Sequence, residues 1–211
     1  MKTIVCFGDS NTWGADPLQG SRFNRLQRWP GVLRNILGEQ YGVIEEGLCG
    51  RTTIYEDPAE DYKCGKDYIV PCLQSHTPVD LVIIMLGTND LKKRFLLSAC
   101  DIAKGAGLLV DLVQQSSYPG GYQAPQVLLI APPPIFEVGQ FKEMFEGGAA
   151  TSLQFGAYYA GTAAKSGCHF LDAGKIISSS AVDGIHFDAR EHAKLGTAVA
   201  EKVMEIFGIY F

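Results

Sequence analysis

The chain has 211 residues, of which 46% are hydrophobic and 19% charged, and its formal net charge at pH 7 is −5. These proportions exclude an intrinsically disordered chain and a coiled coil, and the length predicts a single domain over residues 1–211. The negative net charge and the scattered positions of the basic residues argue against nucleic acid as a partner. No apolar run approaches the roughly 20 residues of a membrane span, so we expect no membrane association either.

The six cysteines form no CxxC pair and show no Cys/His spacing that is typical of zinc. Cys6 and Cys168 lie in apolar segments, where a reduced thiol behaves as a small hydrophobic group. The first residues lack the pattern of a secretory signal peptide. We therefore expect a cytoplasmic protein with free thiols.

Hydrophobic patterning predicts alternating strands and helices along the chain. Short apolar segments rich in β-branched residues predict five strands, at 3–7, 42–46, 81–86, 126–131 and 168–172. The third and fourth are apolar on consecutive residues, which is typical of central strands buried on both faces. Helical periodicity predicts helices at 29–40, 100–115, 153–165 and 189–207. Asp188, with Glu191 three residues later, resembles the capping box that begins a helix.

This alternation predicts an α/β fold in which helices cover both faces of a mostly parallel sheet. We expect a flavodoxin-like three-layer α/β/α sandwich with five strands in the order 2-1-3-4-5. Two predicted connections, 51–79 and 132–148, are too long to be simple turns. Connections of that length usually carry function or an interface.

Ligands of open parallel sheets bind beyond the carboxyl ends of the strands, so the residues that follow each strand are the candidates for a site. Gly8-Asp9-Ser10-Asn11 follows the first strand, and the segment 47–50 follows the second. Gly87-Thr88-Asn89-Asp90 follows the third, and Asp183-x-x-His186 lies downstream of the fifth. A hydroxyl nucleophile, glycine-containing turns, a carboxamide and an Asp/His pair at one edge indicate acyl transfer.

Each of these groups has a defined part in that chemistry. Ser10 is the candidate nucleophile, and His186 is the candidate base that removes its proton. Asp183 would orient the His186 ring and stabilise its protonated form. The backbone N–H groups of Ser10 and Gly50, together with the Asn89 side chain, would form the oxyanion hole.

These four segments, which occur in order along almost the whole chain, resemble the sequence blocks of the SGNH hydrolases, also called GDSL esterases. The flanking residues are most similar to the small arylesterase/acyltransferase branch of this family. They are Glu45-Glu46-Gly47-Leu48, Arg51-Thr52-Thr53 and 182–187. The resemblance implies the same roles for Ser10, Asp183, His186, Gly50 and Asn89. Asn11 stands where the family name implies leucine, and we expect this departure to alter the pocket wall only.

The resemblance implies a serine esterase that cleaves small, short-acyl esters through an acyl-enzyme and transfers the acyl group to alcohols when water is excluded. It implies no cofactor and no metal. The apolar segment 132–145 would leave a large patch exposed if it projected from a monomer, which favours a homo-oligomer. The resemblance suggests an octamer.

Several alternatives remain open on the sequence alone. Ser10 in a Gly-Asp-Ser-Asn turn is also a common helix N-cap, and Asp183-Gly184 is a favoured turn dipeptide. A carbohydrate O-acetylesterase would use identical machinery. A non-catalytic flavodoxin-like module that binds a small ligand is a different class, although no GxGxxG or Walker A pattern is present.

The remaining polar residues have weaker interpretations. His169 is expected in the core or at a sheet edge, and His76 receives no role. His186, Asp188 and His192 together fit no standard metal spacing. Asp9 and Asp90 are expected to hold the site loops through backbone hydrogen bonds, and Arg51 to pair with one of them. The segments 55–68 and 132–145 are the candidates for lining a substrate pocket or a subunit interface.

Overall fold

A computed structural model describes residues 1–209 of the chain. Five parallel strands form one sheet in the order β2-β1-β3-β4-β5, which confirms the predicted order. The strands are β1 (Lys2–Gly8), β2 (Tyr41–Gly47), β3 (Leu81–Met85), β4 (Gln126–Ala131) and β5 (His169–Asp172). Every residue of β3 is buried, as its uninterrupted apolar run predicts.

Helices cover both faces of this sheet. They are α1 (Ser10–Trp13), α2 (Trp29–Leu37), α3 (Gly65–Ser75), α4 (Ala99–Gln115), α5 (Gly148–Ser152), α6 (Phe155–Ser166) and α7 (Ala189–Ile206). Alternate residues of β1 face opposite layers, because side chains along a strand alternate between its two faces. Val5 and Phe7 belong to one hydrophobic core with residues of α3, α4 and α6. Ile4 and Cys6 belong to a second core with residues of α2 and α7.

The predicted boundaries differ from the structure in two informative places. The segment 51–79, expected to be a long connection, contains α3, whose internal Pro71 obscures the helical pattern. The first predicted helix ends at Leu37 rather than residue 40, because Gly38 with φ +75° ends it. Both differences lie outside the sheet, so the strand ends keep their predicted arrangement.

The segment 132–148 folds back onto the body of the molecule instead of projecting from it. Ile135 and Phe145 are buried in the core next to α4 and α6. Phe136, Val138 and Met144 remain exposed. The apolar patch predicted from this segment is therefore smaller than the sequence suggests.

Candidate active site

Ser10 lies at the point where β1 ends and the short helix α1 begins. The Asp9 carboxylate, not the Ser10 hydroxyl, caps this helix by accepting a hydrogen bond of 2.9 Å from the Asn11 N–H. The Ser10 side chain is therefore free to point elsewhere, and its Oγ lies 2.9 Å from His186 Nε2. The interpretation of Ser10 as a helix N-cap is wrong.

Asp183 and His186 come together in the loop that precedes α7. Asp183 Oδ2 lies 2.6 Å from His186 Nδ1, while Oδ1 accepts hydrogen bonds of 3.0 Å from the Ile185 and His186 N–H groups. Gly184 has φ +77°, and a Cβ there would lie 1.9 Å from the Phe136 carbonyl oxygen. The tight turn that presents His186 therefore requires glycine at this position.

The electrostatic environment of Asp183 fixes the direction of these hydrogen bonds. Burial acts to raise its pKa, but the hydrogen bonds from the His186 ring and the two backbone amides more than offset it, so the pKa lies below its ordinary value. An ionised carboxylate only accepts hydrogen bonds, so Nδ1 of a neutral His186 carries the ring proton. Nε2 is then the free acceptor that faces the Ser10 hydroxyl.

Gly50 and Asn89 border the same cavity as Ser10 and His186. Gly50 has φ +82°, and a Cβ there would lie 2.8 Å from Glu60 Oε2. Asn89 is buried, and its Nδ2 donates a hydrogen bond of 3.1 Å to the Arg51 carbonyl oxygen. One N–H of the carboxamide is thereby fixed, which leaves the second to serve as a donor.

The loops that carry these groups are held by buried polar contacts. Asp90 Oδ2 accepts a hydrogen bond of 3.0 Å from the Thr53 N–H, and its other oxygen accepts one of 2.5 Å from the Thr53 hydroxyl. Arg51 pairs with neither Asp9 nor Asp90, contrary to the sequence-based expectation. Its Nη1 donates to the carbonyl oxygens of Gly8, at 2.9 Å, and of Glu46. Arg51 therefore joins the carboxyl ends of β1 and β2.

A cavity of about 810 Å³ opens above the Ser10 hydroxyl. Its apolar lining residues include Phe141, whose ring meets the His186 ring edge-on at a centroid distance of 5.7 Å. Its polar lining residues include Glu60 and Lys63. The segments 55–68 and 132–145 thus both contribute to the cavity, but the tyrosines of the first do not line it.

The other histidines lie in different surroundings. His192 is fully buried, its Nδ1 accepts a hydrogen bond of 3.3 Å from the Trp29 N–H, and burial lowers its pKa to about 4. His169 Nε2 lies 3.0 Å from Gln126 Oε1 at the sheet edge. His76 Nε2 lies 2.9 Å from Glu46 Oε1, a contact that the sequence did not indicate.

Two features around the site were not visible in the sequence. The Tyr159 hydroxyl donates a hydrogen bond of 2.7 Å to the Leu86 carbonyl oxygen, beneath the turn at Gly87. The Arg51 side chain donates hydrogen bonds to backbone carbonyl oxygens that lie on β1 and β2, so no sequence motif reveals these partners.

In the part of the chain that the structure describes, no helix has the length and apolar character to cross a membrane.

The five-stranded parallel sheet in the order 2-1-3-4-5, with helices on both faces, is the fold of the SGNH hydrolases. The model of the GDSL-like lipase/acylhydrolase family matches residues 6–194. The chain belongs to this family, and the protein is a carboxylic-ester hydrolase. This membership favours the enzyme over a non-catalytic binding module.

Solved structures show the same relationship. A carbohydrate acetylesterase from Sinorhizobium meliloti is 41% identical with a TM-score of 0.94, over 98% of this chain and 100% of that one. The aryl esterase of M. smegmatis is 44% identical with a TM-score of 0.93, over 97% and 99% of the two chains. A lipase/acylhydrolase from Enterococcus faecalis, 16% identical with a TM-score of 0.70 over 98% and 97% of the two chains, shares the fold. The comparison with curated proteins found no match.

Proposed function

We propose that this enzyme hydrolyses short-acyl esters through an acyl-enzyme on Ser10, with His186 as general base and Asp183 as its orienting carboxylate. The observation that carries the proposal is the continuous contact from Asp183 Oδ2 to His186 Nδ1, at 2.6 Å, and from His186 Nε2 to Ser10 Oγ, at 2.9 Å. These distances fall within the range that proton transfer between positioned groups requires.

The reaction follows from this geometry. Ser10 Oγ attacks the ester carbonyl carbon while its proton passes to His186 Nε2, and the imidazolium is stabilised by Asp183. The N–H groups of Ser10 and Gly50 and the Asn89 carboxamide stabilise the oxyanion. The alcohol leaves with the proton from His186, and a water molecule activated by the same ring then releases the acid.

The experiment is hydrolysis of p-nitrophenyl acetate, butyrate and octanoate by the wild type and by Ser10→Ala and His186→Ala. We expect the acetate to be preferred and each variant to lose about 10⁴–10⁶-fold in turnover, because residues that act as a unit fail together. The control is Ser166→Ala, whose hydroxyl contacts Asp111 outside the cavity. Equal turnover by the wild type and Ser10→Ala would refute the mechanism.

A carbohydrate O-acetylesterase is the second candidate, and the polar residues that line the cavity support it. Glu60 and Lys63 offer an acceptor and donors to sugar hydroxyls. The S. meliloti neighbour is described as a carbohydrate acetylesterase. Acetate release from acetylated sugars, compared with release from aryl acetates, separates the two substrate classes.

Acyl transfer to alcohols is part of the proposal and depends on how well the cavity excludes water. The apolar side chains at Phe141 and Met144 would favour an alcohol over water near the acyl-enzyme. Adding an alcohol during turnover should divert product from acid to ester. If the yield of acid does not change, the enzyme is a hydrolase alone.

We propose in addition that the protein forms a homo-oligomer, with an octamer as the expected state. Phe136, Val138 and Val182 are exposed apolar side chains, and Val182 lines the cavity; a subunit contact would cover them. Light scattering should give a multiple of the 22.9 kDa chain mass. A mass near that of one chain would contradict the proposal.

The six free thiols support a cytoplasmic location, which cell fractionation would test.

A further inference from the structure

A carboxylate, a thiol and an imidazole meet outside the candidate active site. Among the described residues, the ligand atoms of Glu46, Cys72 and His76 all lie within 4.8 Å of one another. The Cys72 side chain is buried, and the other two are half-buried. None of the three lines the cavity above Ser10.

Two elements of the fold create this cluster. Cys72 and His76 are four residues apart at the carboxyl-terminal end of α3, so their side chains lie on the same face of the helix. Glu46 lies near the end of β2, where successive side chains point to opposite faces of the sheet. Glu45 therefore pairs with Arg28 and Arg34, whereas Glu46 faces α3 and contacts His76 at 2.9 Å.

We propose that Glu46, Cys72 and His76 bind a divalent cation of the Zn²⁺ class, with water completing the coordination. A thiolate, an imidazole nitrogen and a carboxylate oxygen are the three ligand types that zinc uses in proteins. Tetrahedral zinc places its ligand atoms roughly 3.3–3.7 Å apart, given bond lengths of about 2.0–2.3 Å. To reach these distances, side-chain rotations would lengthen the 2.9 Å contact between His76 Nε2 and Glu46 Oε1. They would also shorten the widest separation between ligand atoms, which lies within 4.8 Å.

Binding requires the thiol to lose its proton. Burial, and then the negative charge of Glu46, raise the pKa of Cys72 to about 12, so the thiol is protonated without the metal. The cation would replace that proton, which leaves to solvent as the metal–sulfur bond forms. Arg51 lies beside the cluster, and its positive charge opposes the cation, while the Glu46 carboxylate and the Cys72 thiolate supply two negative charges that favour it.

An acidic cavity borders the cluster at Glu46. This second cavity, of about 760 Å³, is lined by Glu46, five further carboxylates and the cationic side chains of Arg51 and Lys63, although Lys92 and Arg94 neutralise Asp57 and Glu60 through ion pairs. The five are Glu56, Asp57, Glu60, Asp61 and Asp67. Such a surface concentrates cations at its walls. Glu46 is the one cluster residue that borders it, so the carboxylate would meet the ion first.

The position of the cluster indicates that a bound cation would stabilise the loops around Ser10. Glu46 belongs to β2, and Arg51 joins the Glu46 carbonyl oxygen to that of Gly8, two residues before Ser10. A bound cation would fasten α3 to the end of β2, next to this connection. It takes no part in the acyl transfer proposed above, and it can exist whether or not that mechanism is correct.

The test is Co²⁺ binding to the reduced full-length protein, followed by its absorption spectrum. We expect one equivalent of cobalt and a sulfur-to-cobalt charge-transfer band, which Zn²⁺ abolishes by displacement. Cys72→Ser should lose the band, and His76→Gln should weaken binding by about 10-fold or more. Saturating Zn²⁺ should raise the Tm of the wild type by roughly 5 °C or more.

The matched controls are Cys49→Ser, which removes an exposed thiol, and His169→Gln, at the sheet edge; both should bind cobalt like the wild type. His76→Gln changes a half-buried residue that follows α3, so it tests the site even if Cys72→Ser folds poorly. The proposal is overturned if the wild type shows no sulfur band. It is overturned equally if the band persists in a folded Cys72→Ser or disappears in Cys49→Ser.

Discussion

At the level of single residues, the orientation of the Asn89 carboxamide depends on one backbone oxygen. Its Nδ2 donates to the Arg51 carbonyl, and Arg51 is itself held by the ends of β1 and β2. The carboxamide is thus fixed before any ester enters the cavity. Such preorganisation is what makes a hydrogen-bond donor effective in a transition state, because no reorganisation is needed during the reaction.

Asn89→Ala tests this role directly. We expect turnover of p-nitrophenyl acetate to fall by about 10²–10³-fold, because one donor to the oxyanion is removed. The loss should lie in kcat, and the Tm should change little. An Asn89→Ala enzyme with wild-type turnover would show that Asn89 does not stabilise the oxyanion.

The sequence predicted the positions of some residues of the candidate active site but not the contacts of Arg51. Ser10, Asn89 and the Asp183/His186 pair were predicted at one edge, because the carboxyl ends of parallel strands meet at the same edge of a sheet. Arg51 was predicted to meet a carboxylate and instead binds two carbonyl oxygens. A local pattern does not reveal such contacts, since they depend on how the loop after β2 crosses the end of β1.

At the level of elements, the start of α7 shows which part of a capping pattern is local. Asp188 caps the helix by accepting hydrogen bonds from the Arg190 and Glu191 N–H groups, as predicted. The Glu191 side chain does not complete a capping box. Its Oε2 accepts a hydrogen bond of 3.0 Å from the Ser178 N–H, in the loop before the helix.

Asp188→Ala should therefore lower the free energy of unfolding by about 1 kcal/mol, because it removes the cap of α7. Asp188→Asn is the matched control, since asparagine caps helices nearly as well. Denaturant unfolding that gives equal stability for Asp188→Ala and Asp188→Asn would contradict the assignment.

At the scale of the whole molecule, three buried titratable groups make the free energy of unfolding depend on pH. Two of them lower it as the pH rises, and the third raises it. Burial raises the pKa of both Asp9 and Asp90 to about 6. The folded protein therefore binds these protons more tightly than the unfolded chain, and their contribution to stability falls as the pH rises from about 4 to about 6. His192, with its pKa lowered to about 4, acts in the opposite direction over this range.

Asp90→Asn separates these contributions. The stability of the wild type relative to this variant should fall by about 3 kcal/mol between pH 4 and pH 7, since each pKa unit corresponds to about 1.4 kcal/mol. Urea unfolding at several pH values measures the difference, and Asp61→Asn, at an exposed carboxylate, is the control substitution. A difference between wild type and Asp90→Asn that stays constant over this range would contradict the prediction.

The sequence by itself determined the fold class and which strand ends carry polar groups, because hydrophobic periodicity and the residues that follow each strand are local features. The strand order was predicted from the flavodoxin-like fold that this alternation suggests, since alternation alone is compatible with other orders. The sequence did not reveal α3, because Pro71 interrupts a pattern that tertiary packing nevertheless stabilises as a helix.

Only the tertiary structure decided which side chains meet across elements. Ser10 and His186 are 176 residues apart, yet their side chains lie at 2.9 Å. The cluster of Glu46, Cys72 and His76 likewise needs β2 and α3 to be packed together before its ligand atoms meet. Sequence patterns place residues on a strand end or a helix face, but distances between elements are set by how the intervening core packs.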